Sequence, residues 1–483
     1  MKSKIYITCL ALAALTFASC EKQVEVNPQN SLAASVALTD VASSQALLIS
    51  AYDRVQTFTY WGRDMALMGD VLADNISVNA TQAGNRYVGQ QNNSRNSIYN
   101  FWNTAYGIIN DCNTLINFLD NYQGGNDALK KQYKGEALAL RAMVFFDIAR
   151  AYGYEPNKIP TTGTGAGFNK SAILRLKATI VSEDAVNINR STVTETYTQI
   201  EKDFKDAIAL LPTDATTTRY RMNKGAAYAF LGKVYLYWER WADAITQFDL
   251  ATANSSATLA TTGKYRSIFQ SRPNVESFFE LFFDPTIELS GVTGSNETVF
   301  SYTNPNLEGG GVTYGGQLPS VDLQALFEDA DDRKAMFYQA TPKGASGPLT
   351  FVRKYSAPHG AYTDDIILIR YADVLLMKAE AQAELGNYGA AADLVKQLRT
   401  NRNATTAGVP TTDAIKAYIQ TERRRELFFE GHRWFDLKRK GNGITKPSTS
   451  SVGLISPNDY RILAPIPTGS VTFNPALPQN PGY

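Results

Sequence analysis

The chain has 483 residues, with 47 Lys and Arg against 46 Asp and Glu, a formal net charge of +1, and 44% hydrophobic residues. Near-neutrality excludes the broad basic face that a nucleic-acid partner requires, and the length demands either several domains or one large helical, repeat-like one. Two histidines, His359 and His432, and three cysteines are too few for a zinc centre of the usual His/Cys kind, so neither a metal nor another cofactor is expected.

The first twenty residues read as a targeting segment. Lys2 and Lys4 give a positive start, Ile5 to Phe17 an apolar run too short for a comfortable membrane span, and Ala18-Ser19 the small residues before Cys20. That ending resembles a bacterial lipobox, in which the Cys20 thiol and amine carry acyl chains and anchor the protein to a membrane. Phe17 stands where Leu is usual, so a plain secretory signal is the alternative. With Cys20 acylated and Cys9 removed, Cys112 is left as a buried thiol with no disulfide partner.

Glu21 to Asn30 is a polar tether, and Asp40 is a plausible N-cap for a helix running to Gln56. Asp70 to Asp74 reads as the continuation of a helix, whereas Asn75 to Asn96 is an Asn-, Gln- and Gly-rich loop. Helical patterning returns over Phe101 to Leu119. Leu129, Tyr133, Ala137, Leu140, Val144, Ile148 and Ala151 then mark one face of a long helix. Gly163, Gly165 and Gly167 lack the Lys-Ser/Thr of a phosphate loop and read as ordinary loop. Another helical stripe from Tyr197 stops at Pro212.

From Tyr228, the residues Leu231, Gly232, Tyr235, Ala244, Phe248 and Ala251 fall at tetratricopeptide spacing, and a weaker unit runs from Leu375 to Leu398. Such units bury their faces only by stacking, so helix pairs form the frame. Between about 253 and 363 periodicity fades into a Gly- and Pro-punctuated insertion. Thr421 to Lys440, TERRRELFFEGHRWFDLKRK, reads as one helix. Its Glu422, Glu426 and Glu430 recur every fourth residue and form ion-pair bridges to neighbouring elements. The Pro-rich end from Ala464 wraps over the surface.

ERRRELFFEGHRWFDLKR resembles the C-terminal signature of the SusD/RagB family of nutrient-gathering surface lipoproteins. FWNTAYGIINDCNTLINFL, GEALALRAMVFFDIARAYG, RYADVLLMKAEAQAELGNY and the terminal Pro-rich segment resemble further family motifs in family order, so the likeness covers nearly the whole chain. The expected fold is mostly α, a tetratricopeptide-like helix-pair scaffold with a loop-rich insertion and an irregular Pro-rich tail. The expected division is a signal peptide over 1–19, a tether over 20–35 and one domain over 36–483. Within that domain the helical frame occupies about 36–252 and 364–440, the insertion about 253–363 and the C-terminal wrap 441–483.

What the resemblance implies is binding without turnover. Family members are lipid-anchored at the outer membrane, face outward, bind glycans (some bind peptides) and act as a lid on a SusC-like TonB-dependent transporter. The residues agree with the absence of catalysis: no Gly-x-Ser-x-Gly, His-Glu-x-x-His or phosphate loop occurs, so no catalytic residue is expected. The acidic run Glu328 to Asp332 lacks the pattern of a calcium loop and reads as a solvated helix end.

No family motif fixes the ligand site. Glycan capture uses aromatic faces flanked by amides and charged groups, which directs attention to two loops. One holds Trp61, Asn85, Arg86, Tyr87, Asn92 and Asn93, the other Tyr302, Asn304, Asn306 and Tyr314. Trp102, Trp238, Trp241 and Trp434 lie on helical stripes and read as core. The alternatives are the same lid role with a peptide or other nutrient as ligand, a surface hydrolase, or a helical scaffold for protein partners.

Overall fold

In the computed structural model the described residues are 38–213, 219–286, 296–308, 310 and 312–483. The proposed signal peptide and Cys20 lie outside them, as does nearly all of the tether. Residues 40–483 form one compact unit.

Local signals set the helix boundaries. The Asp40 carboxylate accepts the Ser43 N–H in a capping box and starts α1, Val41–Val55. Helix α2, Asp64–Val71, ends three residues short of Asp74. Asp70, inside the helix, and Asp74, beyond it, turn their carboxylates onto a distant segment. Strand β1, Ile76–Val78, and the single turn α3, Val88–Gln91, precede two long helices, α4, Trp102–Asn121, and α5, Asp127–Tyr152. The N-cap Asn126 accepts N–H bonds from Ala128 and Leu129. Thr192 and Glu195 form the capping box of α6, Val193–Leu210.

Helices α7, Lys224–Tyr237, and α8, Trp241–Ala253, make the first tetratricopeptide-like pair, with Ala244, Phe248 and Ala251 buried in its groove. The insertion holds β2, Ser277–Leu281; α9, Val299–Thr303; β3, Gln317–Pro319; α10, Val321–Gln324; β4, Phe337–Ala340; and β5, Leu349–Val352. After β6, Ile366–Arg370, come the second pair, α11, Tyr371–Glu384, and α12, Tyr388–Asn401. The remaining elements are α13, Ile415–Leu427; α14, Arg433–Arg439; β7, Ile444–Thr445; β8, Leu454–Ile455; and α15, Thr468–Phe473. Packing runs in series, α4 on α5, α5 on α6, α6 on α7, α7 on α8, α8 on α11 and α11 on α12 and α13. Among the described residues the strands form four antiparallel two-stranded ribbons, β1–β3, β2–β6, β4–β5 and β7–β8. Among the described residues no helix is long and apolar enough to cross a membrane.

The stretch Thr421 to Lys440 departs from the single helix expected. It breaks at Phe428–His432, where Phe429 and Gly431 take φ of +61° and +78°. At Gly431 a Cβ would sit 1.8 Å from the Met65 carbonyl oxygen, so only glycine fits. The buried Asp70 carboxylate accepts the Phe429 and Gly431 N–H groups, each at 3.0 Å, and this fixes the break. Beyond it, Arg433 makes a two-point ion pair with Asp74 at 2.7 and 2.8 Å.

The glutamates of this stretch do form bridges, but inside the core. Glu426 meets Arg370 at 2.7 Å, Arg402 at 2.9 Å and Arg333 at 3.0 Å, while Glu430 meets Lys354 at 2.7 Å and Arg370 at 2.8 Å. Burial alone would raise the Glu426 carboxyl. The guanidiniums of Arg402, Arg370 and Arg333 outweigh it and hold the group well below the usual carboxylate range. The acidic run at 328–332 is likewise less solvated than expected. Asp331 is buried against Arg333 at 2.8 Å, and Glu328 bonds Arg399 and the Thr405 N–H. Of the tryptophans assigned to core, Trp102 and Trp434 are fully enclosed, whereas Trp238 and Trp241 are half-buried. Cys112 is a buried free thiol, pushed up by desolvation.

Candidate ligand-binding site

The ribbon β1–β3 brings the two loops together. Ile76, Ser77 and Val78 pair with Pro319, Leu318 and Gln317, and the Asn79 N–H donates to the Gly316 carbonyl at 2.8 Å. Residues following β1 are thereby laid beside residues preceding β3. Gly316 permits this, since a Cβ there would come within 2.4 Å of Ala83. Arg86 and Tyr314, 228 residues apart in sequence, consequently meet, the guanidinium carbon standing 3.5 Å from the ring centroid.

Beneath this pair lies a closed cluster. Tyr87 and Tyr302 stand 5.1 Å apart and Tyr302 and Tyr314 5.5 Å apart, centroid to centroid. The Arg63 guanidinium lies 4.5 Å from the Tyr302 ring and 4.9 Å from that of Phe58. Its Nη1 donates to the Tyr302 hydroxyl at 2.9 Å and to the Glu297 carboxylate, while its Nε donates to Asp64 at 2.8 Å. The Tyr87 hydroxyl donates to Asp64 and that of Tyr302 to Glu297. Burial pushes both phenol groups up, helped by the Asp64 and Glu297 carboxylates and opposed by Arg63, so both remain proton donors. Tyr87 and Tyr302 are only 6% and 3% exposed. They floor the site, and the ligand-accessible groups are Asn85, Arg86 and Tyr314, with the Glu297 carboxylate 3.8 Å from Arg86.

Three further candidates have other duties. Trp61 is 3% exposed and donates its indole N–H to Asp147 at 2.8 Å, an oxygen shared with the Tyr60 hydroxyl, so it belongs to the core. The Asn92 carbonyl accepts the Ser451 N–H at 2.8 Å and the Ser450 hydroxyl at 3.2 Å, fastening the C-terminal wrap. The Asn304 amide donates to the Tyr355 carbonyl at 2.7 Å and accepts from the Tyr338 hydroxyl at 3.0 Å, joining α9 to the insertion. Asn93 is also buried, and Asn306 receives the Lys343 N–H on its backbone oxygen.

On the other flank of α9 a cleft of about 420 Å³ opens between Phe300, Pro305 and Thr313 and the loop from Ser356 to Tyr362. The Phe300 and Tyr362 rings meet edge to face at 5.8 Å, and among the described residues the buried Thr313 hydroxyl has no hydrogen-bond partner. Asp364 holds the loop by accepting the Ser356 and Ala357 N–H groups at 2.8 and 2.9 Å, and burial pushes its carboxyl up to about 7. Strained backbone concentrates in this region, with φ of +62° at Asn85, +62° at Tyr87, +45° at Asn93 and +61° at Tyr362. Sequence reasoning missed Phe58, Arg63, Glu297, Phe300 and Tyr362. Only their nearness to the nominated loops could have drawn attention to them.

Comparison with known proteins places this architecture. A family model described as "Starch-binding associating with outer membrane" matches residues 24–236, and the SusD family model matches residues 347–483. The chain belongs to the SusD/RagB family. It is 26% identical to SusD-like protein P38 of Formosa agariphila, over 99% of both chains, and 25% identical to SusD-like protein P2 of the same organism, over 99% of this chain and 100% of that one. Among solved structures, a SusD superfamily protein of Bacteroides thetaiotaomicron superposes with a TM-score of 0.79 at 23% identity, covering 92% of this chain and all of the other. A protein described as a laminarin-binding SusD-like protein superposes with a TM-score of 0.70 at 22% identity, covering 92% and 99%. At such identities the superpositions speak for the shared SusD fold.

Proposed function

We propose that the chain is a cell-surface glycan-binding protein, with its ligand held on the Asn85–Arg86–Tyr314 surface and in the neighbouring Phe300–Tyr362 cleft. The observation that carries this reading is the meeting of Arg86 and Tyr314 from loops on opposite sides of the chain, over a floor rigid enough to hold both in place. An aromatic face accepts the C–H face of a sugar, while a guanidinium, an amide and the Thr313 hydroxyl bond its oxygens. The site is shallow and half-solvated, which suits modest affinity for one segment of a long polymer. The laminarin-binding neighbour and the starch-binding description of the family model support a neutral glycan.

The ligand is bound, not cleaved. Among the described residues, the carboxylates at the site are tied to Arg63 and Arg86 or to backbone N–H groups. Anchored through acylated Cys20 at the outer membrane and facing outward, the protein delivers its glycan to a TonB-dependent transporter on which it sits as a lid. Affinity electrophoresis against laminarin, starch, xylan and mannan tests the reading. Retardation by at least one is expected. Retardation by none, with binding of peptides instead, would transfer the lid role to peptide capture.

A further inference from the structure

A second cavity, of about 390 Å³, lies between the first turn of α4, the segment from Ile173 to Ile188 and α15, and it shares no residue with the surface or cleft described above. Its floor is aromatic, with the rings of Trp102 and Tyr106 4.8 Å apart. Trp102 is 3% exposed, yet among the described residues its indole N–H meets no acceptor. Asn474 is 8% exposed, and its carboxamide is likewise without a partner. Both groups open onto the cavity and neither is engaged within the described residues, so a ligand seated there can bond them without displacing a protein partner.

The rim is polar and open, with Asn103 and Asn187 exposed. The side chains of Asn103, Asn187 and Ser470 make no hydrogen bond among the described residues, and the ring of Phe473 stands 75% exposed at the mouth. No carboxylate lines the cavity. Its one charged residue, Arg175, has its guanidinium on the Val186 carbonyl at 2.7 Å and the Thr179 hydroxyl at 3.4 Å. With no carboxylate among the described residues that line it, the cavity offers nothing to a cationic ligand, and Arg175 adds one guanidinium to a lining otherwise made of carboxamides, a hydroxyl and rings. Carboxamides offer donor and acceptor side by side, which matches a hydroxyl that does both, and the rings match apolar C–H faces.

We propose that this cavity is a second saccharide-binding site, for a short stretch of a neutral oligosaccharide, with Phe473 as its stacking platform and Asn103, Asn187 and Asn474 as its hydroxyl partners. Two sites on one chain raise the retention of a polymer beyond either affinity, because the second contact forms at high effective concentration.

The test is fluorescence of a Phe473→Trp variant, made in the chain from Glu21 onward so that the compact unit 40–483 stays whole. The probes are laminarihexaose, maltohexaose, cellohexaose, mannohexaose and xylohexaose at up to millimolar concentration. A saturable emission change absent from the parent protein is expected with at least one of them. Adding Asn103→Ala and Ser470→Ala, both at the rim and outside the core, should weaken it at least five-fold at unchanged melting temperature. Adding Arg86→Ala should leave it within two-fold. Silence with all five sugars overturns the proposal. So does a change that ignores the rim substitutions, and so does one abolished by Arg86→Ala, since the signal would then come from the first surface.

Discussion

Arg86 and Tyr314 form the exposed pair on which ligand contact is proposed to turn. Tyr314→Ala removes the stacking face and should lower glycan affinity roughly ten-fold, or about 1.4 kcal/mol. The melting temperature should hold, because the buried floor of Tyr87, Tyr302 and Arg63 remains, and thermal unfolding alongside binding checks both halves. Asp364 sets a pH dependence at the same scale. Its carboxyl is raised by burial to about 7 in the folded protein, whereas an unfolded Asp ionises near 4. Its contribution to stability is therefore complete below about pH 4 and lost as pH rises through about 7. Asp364→Asn keeps an acceptor for Ser356 and Ala357 and cannot ionise, so it should flatten that decline and match or exceed the parent's melting temperature at pH 8. A variant clearly less stable at pH 8 contradicts the assignment. Residue type alone nominated part of the proposed site. Arg86 and Tyr314 were legible as aromatic and polar loop residues, but identical reasoning nominated Trp61, Asn92 and Asn304. An indole or amide announces what it can bond, not whether Asp147, Ser451 or Tyr355 has already taken it.

Among elements, the broken helix α13–α14 organises the core. Glu426 has three guanidinium partners and no exposure, so Glu426→Gln leaves buried positive charge uncompensated and should cost roughly 3–5 kcal/mol. Urea denaturation measures this, and a loss below about 1 kcal/mol would contradict the central role given to the network. Gly431→Ala should be at least as damaging, because the added carbon meets the Met65 carbonyl oxygen and the residue must keep a positive φ. The four-residue spacing of the glutamates was readable from the sequence, and so were the helix pairs, since Ala244, Phe248 and Ala251 interlock only at those intervals. The break was not. Gly431 alone is tolerated in many helices, and its reason lies with Asp70 and Met65, more than 350 residues earlier.

For the whole molecule, serial packing of α4 through α13 makes a continuous frame, and the insertion hangs on it the ribbon that joins the two candidate loops. The C-terminal wrap is fastened in turn. The Asn480 amide donates to the Tyr152 and Ala464 carbonyls, and Lys446 donates to the carbonyls of Val71 and Leu72. The sequence foretold the frame because repeats are local and periodic. The site depends on β1 pairing with β3 across some 240 residues, and no local pattern encodes that pairing. Membrane attachment is tested by Cys20→Ala, which should move the protein from the membrane fraction to the soluble one. Unchanged retention would contradict acylation at that cysteine.

The most direct test is calorimetric titration with laminarin, starch and mannan oligosaccharides and with peptides. It compares the chain from Glu21 onward with its Arg86→Ala/Tyr314→Ala variant, both carrying Phe473→Ala so that only the first surface is read. The expected result is saturable heat with one glycan family and none with peptides, weakened at least ten-fold in the variant at unchanged melting temperature. Equal glycan affinity in both proteins, or heat from peptides alone, would contradict glycan capture at this surface.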